Sequence, residues 1–242
     1  MKTNEPCQIL AWDTNFFGQK IARIFSTSLN TAEAVLVREW AAENSIACCY
    51  FLCDANDENS VRVAEENRMR FVDVRLTFER PITNDFSVRA PSNVRLVQPE
   101  DIPALRKIAK YSHHDSRYYF DSNFSREDCD RLYEVWIEQS CAGYADAVIV
   151  ATMDEIACGY LTCHLRANNN GQIGLIALAE SAQGKGLGTQ LVQSAQHWFQ
   201  SQKVRNISVV TQGRNIKAQR FYQKSGFTTS ATELYYHWWF GS

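Results

Sequence analysis

Apolar positions along the chain alternate between two periods, about 2 and about 3.6 residues, and each change of period predicts an element. From Ile21 to Phe78 the order is strand, helix, strand, helix, strand: Ile21 to Phe25, Thr31 to Ala42, Ala47 to Cys53, Ser60 to Met69 and Phe71 to Phe78. This predicts a small amino-terminal α/β domain over residues 1–90. The stretch from Arg80 to Asn93 is rich in Pro, Ser and Asn and has no periodicity, as expected of a connection between domains.

Residues 91–242 form the second expected unit. A strand at Val94 to Val97 leads to a helix with Asp101 as expected N-cap, Pro103 in the first turn, and Leu105, Ile108 and Ala109 on one face. Ser125 opens another helix, with Asp128 completing an imperfect capping box and Leu132, Val135 and Trp136 on the apolar face. Three strand-like runs follow, Ala147 to Met153, Ile156 to Leu165 and Gln172 to Ala179, and their short connections imply an antiparallel meander. Leu187, Leu191, Val192, Ala195, Trp198 and Phe199 then share a helical face. A strand at Asn206 to Thr211, a helix over Ile216 to Lys224 capped by Gly226, and an aromatic strand from Thr232 to Phe240 complete the order.

Composition narrows the function classes. The chain has 242 residues, 45% hydrophobic and 21% charged, which is ordinary for a folded soluble protein. A net charge of -2 gives no basic field of the kind nucleic-acid binding draws on. Met1 to Pro6 lacks an apolar signal core, and the apolar run from Ile46 to Cys53 is too short to span a bilayer, so a cytoplasmic location without membrane attachment is expected. The eight cysteines sit mostly inside apolar runs and read as reduced core residues. No C-x-x-C or H-x-x-x-H spacing occurs, so no metal is expected.

Candidate chemistry concentrates in Gln183-Gly184-Lys185-Gly186-Leu187-Gly188, between a predicted strand and a predicted helix. Three glycines there let backbone N–H groups at a helix N-terminus approach a phosphate closely. A plain turn needs one glycine, not three. Lys185 is followed by Gly186, so the hydroxyl that a P-loop places on magnesium is missing. A dinucleotide fingerprint would need its third glycine one residue later, after a buried parallel strand.

This segment resembles the Q/R-x-x-G-x-G/A motif of the GNAT superfamily of N-acetyltransferases. Asn215-Ile216-Lys217-Ala218-Gln219-Arg220-Phe221-Tyr222-Gln223-Lys224-Ser225-Gly226-Phe227 resembles the family's N-x-x-A-x-x-x-Y-x-x-x-G-F segment. The resemblance implies an α/β protein with the GNAT fold, a mixed and mostly antiparallel central sheet flanked by helices, with the smaller amino-terminal α/β domain beside it. It implies acetyl-CoA as cosubstrate, held at Gln183, Gly184, Lys185, Gly186, Leu187, Gly188 and Thr189. The strand Gln172 to Ala179 would splay from Asn206 to Thr211, exposing backbone groups of Ile176 and Leu178 to the pantetheine arm. Asn215 would bind the pantetheine or its surroundings, although Asn is also a favoured N-cap for the helix at Ile216. Tyr222 would be the catalytic residue, donating toward the departing thiolate. With tyrosine at about 10 and an alkyl thiol at about 8.5, full proton transfer is uphill by roughly 2 kcal/mol, so donation becomes transfer only late. Without the motif, Tyr222 reads equally as a packed ring.

Trp12 to Gly18, Asp101 to Arg106, Ser116-Arg117, Trp136-Ile137, Ile173 to Leu175 and Asn215 to Gly226 further resemble, within the superfamily, acetyltransferases of nucleotide-linked 4-amino-4,6-dideoxy sugars. The expected acceptor is therefore a TDP-linked sugar amine, met by Arg117, Tyr118 and His113 in the segment Tyr111 to Phe120. Arg117 suits a diphosphate, the aromatics suit a base or sugar, and His113 or His114 suits a proton. A solvated polar loop is the plainer reading of the same segment. Acetylation of a protein, peptide or small amine, and a non-catalytic acyl-CoA-binding module, are the alternatives, and a homodimer is compatible with the chain.

Overall fold

The computed structural model describes residues 5–82 and 91–241. Residues 1–4 of the amino terminus and residues 83–90 of the expected connection lie outside the described residues. In chain order the amino-terminal elements are β1 (Cys7–Ile9), α1 (Ala11–Phe17), β2 (Ile21–Ile24), α2 (Thr31–Glu43), β3 (Cys48–Asp54), α3 (Glu58–Glu66) and β4 (Arg70–Pro81). There follow β5 (Val94–Leu96), α4 (Ile102–Ser112), the short α5 (Arg117–Phe120), α6 (Arg126–Gln139), β6 (Ala147–Met153), β7 (Ile156–Arg166) and β8 (Asn170–Leu178). The last four are α7 (Leu187–Ser201), β9 (Asn206–Gln212), α8 (Ile216–Lys224) and β10 (Thr228–Trp239).

Local chemistry sets the helix starts. Asn30 and Glu33 cap α2 reciprocally, at 3.0 and 2.8 Å. Ser125 Oγ accepts the Asp128 N–H at 3.0 Å to open α6. Asp101, expected to cap α4, does something else. Its carboxylate accepts the Gln98 N–H at 2.8 Å and pairs with Arg95 at 2.6 Å. The chain is already helical at Asp101 (φ -76°, ψ -29°), because the turn Pro99–Asp101 runs straight into α4, so the side chain is turned back rather than over the first turn. Arg80 and Pro81 also belong to β4 rather than to the connection, and pair with Ile207 and Asn206.

The strands form one 10-stranded sheet in the order β1-β2-β3-β10-β4-β9-β8-β7-β6-β5. Among its pairings β2–β3 and β8–β9 are parallel, bridged by α2 and α7, and the others are antiparallel. Strands from both sides of residues 83–90 share this layer, and β10 lies between β3 and β4. The helices α2 and α3 have their own core, whereas α1 joins that of α4 and α6 through Phe16 and Phe17. Leu105, Leu132 and Ile137 of α4 and α6 pack with Tyr160 and Val150 on one face, joined by Tyr50 and Tyr235. Leu191 and Phe199 of α7 pack with Leu161 and Ile207 on the other, while Val37 and Val63 of α2 and α3 pack with Phe51 and Trp238. Strand alternation thus puts Tyr235 and Trp239 on the α6 side of β10 and Tyr236 and Trp238 on the α2 side.

Candidate active site

β8 and β9 pair in parallel from Asn170↔Asn206 only as far as Ile173↔Val209. Beyond that point β8 stays with β7, where a register shift falls between Leu161 and Cys163. Thr162 Oγ1 fills the irregularity by accepting the Leu175 N–H at 2.8 Å. The approach is close enough that a Cβ on Gly174 would sit 2.7 Å from Thr162 Oγ1, which only glycine allows. The N–H groups of Leu175 and Ala179 point toward β7. By alternation those of Ile176 and Leu178 point into the gap that β9 leaves.

That gap opens into a cleft of about 1320 Å³. Its lining includes Gln183, Gly184, Gly186, Gly188 and Thr189 of the glycine loop, Ile176 and Leu178 of β8, Asn215 and Tyr222, and also Asp73, His113, Arg117, Tyr118 and Tyr235. Gly184 and Gly186 have φ of +76° and +80°, and a Cβ at either would meet nothing within 4 Å. Their conformation requires glycine, and the space beside them is open. Among the described residues no side chain caps α7, which leaves its first-turn N–H groups able to take an anion. Gln183 pins the loop by donating to the Leu178 carbonyl at 3.3 Å while accepting from Lys217 Nζ. Two of the predicted residues keep their side chains off the cleft: Lys185 is exposed with Nζ 4.0 Å from Met153 Sδ, and Leu187 is buried in the α7 core. Only the backbone of Leu187 is available there.

Asn215 Oδ1 accepts the Ala218 N–H at 2.9 Å, so its capping role is realised at the cleft wall. Tyr222 is 3% exposed, its ring set among Phe78, Phe221 and Phe227 with centroids 5.9, 5.4 and 5.9 Å away. Burial pushes its phenol well above the ordinary value, which keeps the proton on the oxygen at neutral pH.

Arg117 sits over three tyrosine faces, with Cζ 4.6 Å from the Tyr50 centroid, 4.1 Å from Tyr118 and 4.3 Å from Tyr235. Its Nη2 donates to the Tyr118 hydroxyl at 2.7 Å, and Tyr118 reaches Asp13 of α1 at 3.5 Å. His113 stacks on Tyr133 at 4.5 Å, and its Nε2 lies 2.9 Å from the Tyr160 hydroxyl. Burial, aided by His114, holds His113 down to about 4, so it is neutral near pH 7. His114, the other histidine considered, is exposed, does not line the cleft, and has Nε2 3.2 Å from the Lys110 carbonyl.

Asp73, on β4, is a cleft residue that the sequence reading missed. It is 4% exposed; burial pushes it up to about 6, against the pull of Arg214. A carboxylate inside the apolar run Phe71-Val72-Asp73-Val74 was the available signal. His237, between aromatic residues of β10, was missed as well; it is fully buried and does not itself line the cleft.

Residues 101–227 match the family model described as the acetyltransferase (GNAT) family. The chain belongs to that family. It is 26% identical over 230 residues to the dTDP-fucosamine acetyltransferase of Escherichia coli O6:H1, a match that covers 92% of this chain and 93% of that protein. It is 30% identical over 144 residues to the spore coat polysaccharide biosynthesis protein SpsD of Bacillus subtilis, covering 60% of this chain and 50% of that protein. The GCN5-related N-acetyltransferase structure from Sphaerobacter thermophilus superposes with a TM-score of 0.66 at 16% identity, covering 96% of this chain and 75% of the other. These likenesses, with the matched family, establish the GNAT fold and an acyltransferase. GNAT acetyltransferases use acetyl-CoA. Among the described residues of this GNAT chain, no group of three or more His, Cys, Asp and Glu is placed to hold a metal, and no helix is long and apolar enough to cross a membrane.

Proposed function

We propose that this enzyme transfers the acetyl group of acetyl-CoA to the 4-amino group of a TDP-linked 4-amino-4,6-dideoxy sugar. The observation that carries the reading is the continuity of one cleft from the Gly184–Gly188 loop to the tyrosine-lined Arg117, a cation with no ion pair among the described residues. A ligand carrying phosphates at both ends of the reacting pair suits that arrangement. The match across most of a dTDP-fucosamine acetyltransferase supports the acceptor class.

The residues fit acetyl-CoA on three counts: open space beside two left-handed glycines, an uncapped helix start, and unpaired strand N–H groups in the gap. The N–H groups of Gly186, Leu187, Gly188 and Thr189 would hold the pyrophosphate, with Gln183 and Lys185 bordering it. Ile176 and Leu178 would receive the pantetheine by backbone hydrogen bonds, near Asn215. When bound, acetyl-CoA supplies an activated acyl thioester.

The chain's own contribution is proton management and positioning. Asp73, near 6, would take the proton of the acceptor ammonium, directly or through water. Tyr222, held protonated, would donate toward the sulfur as charge builds there. Arg117 would orient the acceptor diphosphate, with Tyr118 beside the nucleotide and His113 beside the sugar. The test is a panel of amines with the product identified by mass: the TDP-linked amino sugar, the free amino sugar, polyamines and peptides. The reading requires acetylation of the nucleotide-linked amine. Preferred acetylation of a peptide or a free small amine would replace it.

A further inference from the structure

Behind Arg117 lies a buried pair that the proton chemistry above does not use. Arg117 Nε donates to His237 Nε2 at 3.2 Å. On its other side His237 Nδ1 lies 2.6 Å from Asp121 Oδ2, which also accepts the Trp239 indole N–H at 2.8 Å. Both side chains of the pair are fully buried. An Nε2 that accepts from arginine carries no proton, so the tautomer is fixed: the proton is on Nδ1 and is donated to Asp121. We propose that His237, oriented by Asp121, is a positioning residue that fixes the Arg117 guanidinium to receive the diphosphate of the acceptor; the inference rests on the acceptor reading above.

The chemistry of the relay explains why a histidine stands between arginine and aspartate. A carboxylate touching Arg117 directly would fix it equally well, but it would neutralise the charge that must meet the ligand. A neutral imidazole passes on the orientation and leaves that charge in place. Of the guanidinium's two hydrogen bonds among the described residues, one goes to His237 and one to the Tyr118 hydroxyl, both uncharged acceptors. The tyrosine rings hold the plane without competing for its N–H groups. The charged and titratable groups facing His237 are Asp121, Arg117, Arg70, Tyr50 and Tyr235. Burial is the largest influence there and holds His237 down to about 4, against the opposing pull of Asp121, so the acceptor lone pair persists across the neutral range.

A merely structural histidine would affect every substrate alike. His237→Gln keeps an acceptor in the side chain, whereas His237→Phe deletes it. We expect His237→Phe to raise KM for the TDP-linked amino sugar on the order of tenfold more than for the free amino sugar, with His237→Gln recovering much of the difference. In an Arg117→Ala background the two histidine variants should differ little, because the group they position is gone. Equal losses on both acceptors, or a full additional loss in the Arg117→Ala background, would overturn the proposal. A second readout uses the unmodified enzyme with isotope-labelled histidine. Thymidine diphosphate alone should perturb the His237 Nε2 signal, and an unperturbed signal at saturation would also overturn the proposal. That titration decides the matter if a variant fails to fold. It also separates this proposal from the acceptor reading, which fails instead if the free amino sugar is turned over as well as the nucleotide-linked one.

Discussion

Arg214 Nη1 lies 3.4 Å from Asp73 Oδ1, yet that buried oxygen has no hydrogen-bond partner among the described residues. Arg214 is occupied elsewhere, donating to the Val72 carbonyl at 2.8 Å and lying flat on Phe120 at 3.5 Å. Asp73, which lines the cleft, is thus steadied by the Arg214 charge while one of its oxygens stays unpartnered.

The consequence is a pH dependence with a definite sign. Asp73 is raised by burial to about 6, so the active, ionised form is lost as pH falls through that value. The kcat/KM profile should rise with pH through about 6 and then level. Replacing Asp73 by Asn should lower kcat on the order of 10²-fold and abolish that limb. Arg214→Gln should move the limb to higher pH, because Arg214 lowers the Asp73 pKa. A limb that stays unchanged in the asparagine variant would assign it to another group.

Tyr222→Phe preserves the ring that packs among Phe78, Phe221 and Phe227 and removes only the hydroxyl. Turnover should fall on the order of 10²-fold while acetyl-CoA affinity and melting temperature change little. Steady-state kinetics with calorimetry checks both halves. Wild-type turnover would reduce Tyr222 to a packing residue.

At Gly186 a Cβ would meet no described protein atom within 4 Å, so the damage expected of a small side chain comes from its φ of +80° and from the space it takes from a ligand. Gly186→Val should therefore weaken acetyl-CoA binding at least on the order of tenfold, beyond a backbone strain of about 1–2 kcal/mol. Calorimetric titration alongside thermal unfolding separates the two. Unchanged affinity in a folded variant would remove the phosphate role from this loop.

What could be read from the sequence was local. The glycine loop, the Asn215 cap and the apolar face Leu187-Leu191-Val192-Ala195 depend on neighbours within a few turns, and the structure has them where the spacing puts them. Short or long-range features escaped. β1 spans three residues, too few to show a period, and β10 was legible as a strand but not as the one between β3 and β4. Asp101 had the right identity for a cap, but Arg95 and the preceding turn claimed it. Arg117 and His237 are separated by 120 residues, and nothing in either local pattern announces the other.

We propose that Arg117 and its surroundings direct this acetyltransferase to a diphosphate-linked amino sugar, and the direct measurement is a ratio. It is kcat/KM for the TDP-linked 4-amino-4,6-dideoxyhexose divided by that for the same sugar without the nucleotide, taken in the wild type and in Arg117→Ala. Binding energy from the remote diphosphate should orient the reacting amine, giving a ratio on the order of 10² or more that collapses toward unity in the variant. A wild-type ratio near one, or a ratio untouched by Arg117→Ala, would contradict the account.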